Sequence, residues 1–198
     1  MNVDVPKQLV KARAEGMSEA ANSGTDQCML TVVGLDEDRL ESICYKASHS
    51  VNNGVCKVAN YLFPQGGTVS GDSACVELVQ EEAAKAGARK VQRVAVSGAF
   101  HTERMALAQE YIKPHVDKIG EPKLRVYSNT TGKPIESAEQ ARELVLRQIV
   151  EPVKWQTVIE AIGAEGMQLY EAGPGQQLKA MTKRISSRLW NSMRNLEV

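Results

Sequence analysis

His101 is placed for proton transfer. In the stretch VSGAFHTERM, which begins at Val96, it follows a Ser-Gly-Ala-Phe turn and precedes Thr-Glu-Arg-Met. A turn between a strand and a helix is a common seat of function in α/β folds, outside the carboxyl ends of strands. Imidazole titrates near neutrality, which suits a general base. A histidine base most often activates a serine or cysteine. The Gly-x-Ser-x-Gly elbow of serine hydrolases does not occur among these 198 residues, and GTVSG has a different spacing. Ser97 lies four residues before His101 but lacks that elbow, so it reads as a turn-stabilising hydroxyl. His49 and His115 occupy exposed-looking helix positions and read as structural.

A second residue invites a chemical reading. From Pro6 to about Ala21 the sequence is helical, and Leu9, Met17, Ala20 and Ala21 share one stripe. Arg13 falls on that stripe, four residues after Leu9 and four before Met17. A charge on an apolar face costs free energy unless it is paired. Either the side chain snorkels to solvent, or its guanidinium faces a pocket and grips an anion with two parallel hydrogen bonds. The four cysteines form no Cys-x-x-Cys pair and have no histidine at ligand spacing. Free thiols are expected, with no metal site.

The elements that must carry these residues alternate. Strands are expected at 28–34, 55–62, 66–71 and 89–96, with helices at 36–50 and 73–87. The order β-α-β-β-α-β is that of a ferredoxin-like split βαβ unit. After it come a helix over 103–120, a strand over 124–129, helices over 137–150 and 153–166, a strand over 167–173, and a helix opening near Pro174. The tail RLWNSMRNLEV offers one further strand. Strands alternating with helices imply a parallel sheet covered on both faces. Two or three strands are too few to make one.

Twenty-four basic and 24 acidic residues leave no net charge, which argues against a general nucleic-acid or anionic-membrane surface. No apolar run approaches the ~20 residues that span a bilayer.

Seven segments follow one another in a recognisable order: LVKARAEGM, MLTVVGLDEDRL, VANYLFPQGGTVSG, VAVSGAFHTERM, VYSNTTGKP, RQIVEPVKW and YEAGPGQQLKAMTKR. Together they resemble the C-terminal part of the malonyl-CoA:acyl carrier protein transacylases. The resemblance implies an α/β fold with an α+β small lobe. More fully, it implies an incomplete α/β-hydrolase-like acyltransferase domain, residues 1–26 and 97–198, with an inserted ferredoxin-like subdomain, residues 27–96. It implies malonyl transfer from coenzyme A to the phosphopantetheine thiol of acyl carrier protein, in fatty-acid biosynthesis. By the same resemblance His101 is the catalytic base, and the backbone carbonyl of Gln148 orients it. Arg13 holds the malonyl carboxylate, and Phe100 belongs to the malonyl-selective form of the motif. No role is carried over for Asn60. No cofactor and no metal are implied, the phosphopantetheine belonging to the partner.

The family's Gly-His-Ser-Leu-Gly elbow and early Gly-Gln-Gly segment have no counterpart here. The expectation is a chain inactive alone, whose partners are acyl carrier protein, malonyl-CoA and a missing N-terminal half, with no nucleic acid and no membrane. The compartment implied is a mitochondrion or plastid, or else the bacterial cytoplasm. The alternative is a non-catalytic carrier-protein-binding protein, which has no physical need for a carboxylate clamp. A third reading makes Ser97 or a cysteine a substitute nucleophile.

Overall fold

A computed structural model describes residues 4–197. The chain opens with helix α1 (Asp4–Asn22), then strand β1 (Gln27–Val33), helix α2 (Glu37–Ser50), strands β2 (Cys56–Phe63) and β3 (Gly66–Asp72), helix α3 (Ser73–Lys85) and strand β4 (Lys90–Arg93). The four strands form one sheet in the order β2-β3-β1-β4, and every neighbouring pair is antiparallel. That order arises when each helix carries the chain over one intervening strand.

Local chemistry fixes these elements. Asp36 caps α2 by accepting from the Arg39 N–H at 2.8 Å, with Glu37 and Asp38 in the first turn where the helix dipole favours anions. Leu30, Val32, Val58 and Val69 on the sheet close a core with Leu40, Cys44, Val76 and Val79 of α2 and α3. All four cysteines are free and buried in this core. Gly71 pairs with Cys28 on one side and Cys56 on the other; a Cβ there would lie 2.1 Å from the Val55 carbonyl oxygen. Only glycine fits.

A second core joins α1 to helix α4 (Ala106–Val116), which follows a 3₁₀ turn at Glu103–Met105. Met17, Ala20, Met105, Ala108, Ile112 and Ile149 are its buried members. At Gly16 a Cβ would come within 2.8 Å of the Ala108 Cα, so the two helices cross nearly backbone to backbone. Helices α5 (Ala138–Arg147) and α6 (Trp155–Ala164), strand β5 (Tyr170–Ala172), helices α7 (Gln177–Ile185) and α8 (Ser187–Ser192) and strand β6 (Arg194–Leu196) complete the order. The connector between α5 and α6 docks on β2. There the Tyr61 N–H donates to Val153 O, and the Val153 N–H to Ala59 O, both at 2.8 Å.

Several expectations change. The segment 124–129 is not a strand: it has one isolated bridge, Tyr127 to Pro134, with Leu124 81% and Val126 48% exposed. Its apolar pattern has no neighbouring strand to pair with among the described residues, and a strand without a ladder is not stable. The parallel sheet is reduced to β5 and β6, three residues each. The tail forms α8 before its short strand, because the Ser186 hydroxyl caps it on the Leu189 N–H. β4 stops at Arg93. No described helix is long and apolar enough to cross a membrane.

Candidate active site

The α1–α4 crossing decides where Arg13 stands. With Gly16, Met17 and Ala20 turned into the second core, Arg13 at the edge of the same stripe is half-buried. It has no hydrogen-bond or ion-pair partner among the described residues, and burial pushes its pKa down.. It lines a cleft of about 360 Å³ with Ala14, Met17, Ser18, Ser97, Phe100 and His101. The sequence left a choice between an arginine reaching solvent and one facing a pocket; the side chain is half-buried and lines a cleft.

His101 lines the same cleft in a left-handed conformation, φ +62°. A left-handed backbone costs on the order of 1 kcal/mol for a residue other than glycine, and it persists only where the surroundings over-determine it. Thr102 closes the turn: its hydroxyl donates to Ala99 O at 2.6 Å. The imidazole Nδ1 lies 2.9 Å from Gln148 O. A carbonyl only accepts, so the ring carries its proton on Nδ1 and leaves Nε2 as the base.

The availability of that carbonyl has a cause in the sequence. Gln148 is the C-cap of α5, and its carbonyl awaits an N–H from the residue four positions on. That residue is Pro152, which has none. The helix end is held by Arg147, whose guanidinium binds Glu151 at 2.7 and 3.0 Å and Glu143 at 2.8 Å. Burial lowers the pKa of His101; the Gln148 carbonyl opposes this and the Arg13 charge adds to it. Burial and the nearby cation, which has no partner among the described residues, both disfavour the charged imidazole.

The other residues fall as follows. Phe100 is half-buried in the cleft wall, packed against the second core. Ser97 lines the cleft but is exposed and makes no hydrogen bond to His101. Asn60 donates to the Thr68 hydroxyl and bridges to Val153, where β2 meets the α5–α6 connector. His49 is exposed and bonds Tyr45 O through Nδ1. His115 is not exposed: it is half-buried and its Nδ1 has no partner. No group of three or more His, Cys, Asp or Glu able to hold a metal ion occurs among the described residues.

Two ties around the site were not anticipated. Asp72, 4% exposed, accepts from Arg104 Nε at 2.8 Å and Nη2 at 2.7 Å, from the Thr25 hydroxyl and from the Val55 N–H. Gln27 bonds both Ala20 O and the Ala99 N–H.

The molecule is thus an α/β chain in which a half-buried histidine and a half-buried arginine line one cleft. No family model matches it. A mouse mitochondrial malonyl-CoA-acyl carrier protein transacylase is 33% identical over 96% of the chain, which covers 52% of that relative. The solved malonyl CoA-acyl carrier protein transacylase of Coxiella burnetii superposes with TM-score 0.90 at 28% identity, over 99% of this chain and 61% of its own. A malonyl-transacylase solved in complex with a type II PKS acyl-carrier protein matches with TM-score 0.84 at 27% identity, over 96% of this chain and 60% of its own. Along nearly its whole length the chain is similar to malonyl-CoA-acyl carrier protein transacylases, and it spans about half the length of the curated relative from mouse.

Proposed function

We propose that residues 1–198 supply the base and the carboxylate clamp of a malonyl-CoA:acyl carrier protein transacylase. The observation that carries this is the half-buried Arg13, without a partner among the described residues, sharing one cleft with a His101 whose Nδ1 is held by Gln148. A guanidinium in that setting gains two charge-assisted hydrogen bonds from a malonyl carboxylate. An acetyl group leaves the same cation without a partner. Phe100 adds apolar surface to the same cleft.

In the reaction, His101 Nε2 takes the proton of a serine hydroxyl, and the serine oxygen attacks the malonyl thioester carbonyl. The bond to coenzyme A sulfur breaks, and the imidazolium returns the proton to the departing thiolate. The phosphopantetheine thiol of acyl carrier protein then attacks the acyl-serine, with His101 again moving the proton. Residues 1–198 contain no Gly-x-Ser-x-Gly, so the attacking serine comes from outside this stretch. No cofactor or metal enters these steps. The complexed relative supports an acyl carrier protein as partner, and the mouse and Coxiella relatives support a mitochondrion or a bacterial cytoplasm. A plastid rests on the sequence resemblance alone. The non-catalytic carrier-binding alternative leaves Arg13 and the oriented imidazole without a purpose.

Incubating the 198-residue chain with radiolabelled malonyl-CoA, followed by peptide mapping, tests this. The expected result is no acyl-protein adduct. A stable malonyl ester on Ser97 or Ser18, or a thioester on a cysteine, would make the chain a self-sufficient enzyme and overturn the reading.

A further inference from the structure

Gln27 is the first residue of β1 and is 9% exposed. Both ends of its amide are used. Nε2 donates to Ala20 O at 3.1 Å, and Oε1 accepts from the Ala99 N–H at 2.8 Å. Ala20 is two helical turns beyond Arg13 on α1, and Ala99 stands two residues before His101. A hydrogen-bonded helix is stiff over two turns, so a bond to Ala20 also locates Arg13. The turn is closed on Ala99 O by Thr102, so a bond to Ala99 also locates His101. Packing alone does not require an amide here, since burying one costs free energy unless every polar atom is satisfied. This amide spends its capacity on joining the two walls of the cleft.

We infer that Gln27 is a positioning residue: it sets the separation between the Arg13 guanidinium and the His101 imidazole, and so the length of the acid that the cleft accepts. The inference rests on the malonyl reading of the cleft and adds what determines its gauge.

The test follows the His101 Cε1–H resonance of the full chain during titration with malonate, succinate and acetate. The wild type is expected to bind malonate more tightly than either of the others. In Gln27→Met, which keeps the volume and removes both hydrogen bonds, malonate affinity falls about tenfold. Acetate affinity is unchanged, and the preference for malonate over succinate narrows. Val79→Ala, a buried core change far from the cleft, lowers stability and leaves all three affinities as they were. A folded Gln27→Met chain with the wild-type malonate preference overturns the inference. Should that variant not fold, Gln27→Glu keeps the acceptor for Ala99 and loses the donor to Ala20; unchanged malonate affinity there overturns it equally. Rapid hydrogen exchange of the Ala99 amide in the wild type also overturns it. Arg13→Ala separates the two ideas. If it leaves malonate binding intact, the malonyl reading falls. If it abolishes binding while Gln27→Met does not weaken it, only the inference about Gln27 falls.

Discussion

The four-stranded sheet with α2 and α3 closes its own core, whereas the stretch from Leu124 to Leu196 does not. On the sheet, Leu30, Val69, Val76 and Val79 are fully buried, and β1 pairs with β3 over seven consecutive residues. In the later stretch Leu124, Val126, Tyr170 and Leu196 are all about half exposed or more, and the strands are three residues long. An apolar cleft of about 810 Å³ lies there, lined by Leu9, Ile119, Leu124, Val126 and Ile135 among others. Similar apolar content therefore yields different order. What differs is whether the chain supplies the neighbour that each strand needs. The catalytic candidates stand between the two regions: α1 and the His101 turn are tied to the sheet by Gln27 and Asp72, and to the later helices by the second core.

The contrast is sharpest in a pair of truncations. Leu30→Ala opens a cavity in a packed core and should cost about 3 kcal/mol. Leu124→Ala, at a position 81% exposed, should change stability by less than about 0.5 kcal/mol. Urea unfolding followed by circular dichroism compares them. Equal costs would mean that the later stretch has a core of its own.

A somewhat smaller effect is expected at the tie between the regions. Asp72→Asn removes the acceptor charge from the Arg104 pair and should cost about 2 kcal/mol. Burial raises the pKa of Asp72, but Arg104, the Val55 N–H and Thr25 outweigh it, and the net direction is down from 3.8. A carboxyl depressed by folding contributes stability that is present above its unfolded value and is lost as pH falls through the folded one. Wild-type stability should therefore decline below about pH 4, and the variant's should decline less steeply. Parallel curves would show that the pair does not hold the turn to the sheet.

The smallest effect is local to the cleft. Arg13→Ala removes a nearby positive charge and partly opens the site to water, both of which favour imidazolium. The His101 titration, read by NMR, should move upward with little change in melting temperature. An unmoved titration would place the two side chains out of electrostatic reach.

Much of this was legible beforehand because it rests on local pattern. The succession of strands and helices from β1 to β4 and the stripe on α1 need only near neighbours in sequence. Arg13 was conspicuous as a charge on an apolar face, and His101 as an imidazole on a turn. The strand pattern at 124–129 misled because period-two hydrophobicity describes what a segment can do when paired, not whether a partner stands beside it. Gln27 was invisible because its two bonds depend on tertiary placement, one of them reaching 72 residues along the chain. Asp72 and Arg104 carried no signal for the same reason. His115 was misjudged as exposed because a helix position alone does not say what packs over it. The role of Gln148 came from resemblance, since a carbonyl leaves no mark in a residue's identity.

Any amino acid at position 148 brings the same oxygen, so substitution there is a poor probe of how the imidazole is held. The sensitive position is 152, whose ring contributes nothing to the cleft yet leaves the oxygen uncommitted. One hydrogen atom restored to that nitrogen would offer the oxygen a second donor four residues downstream, to be shared with the histidine.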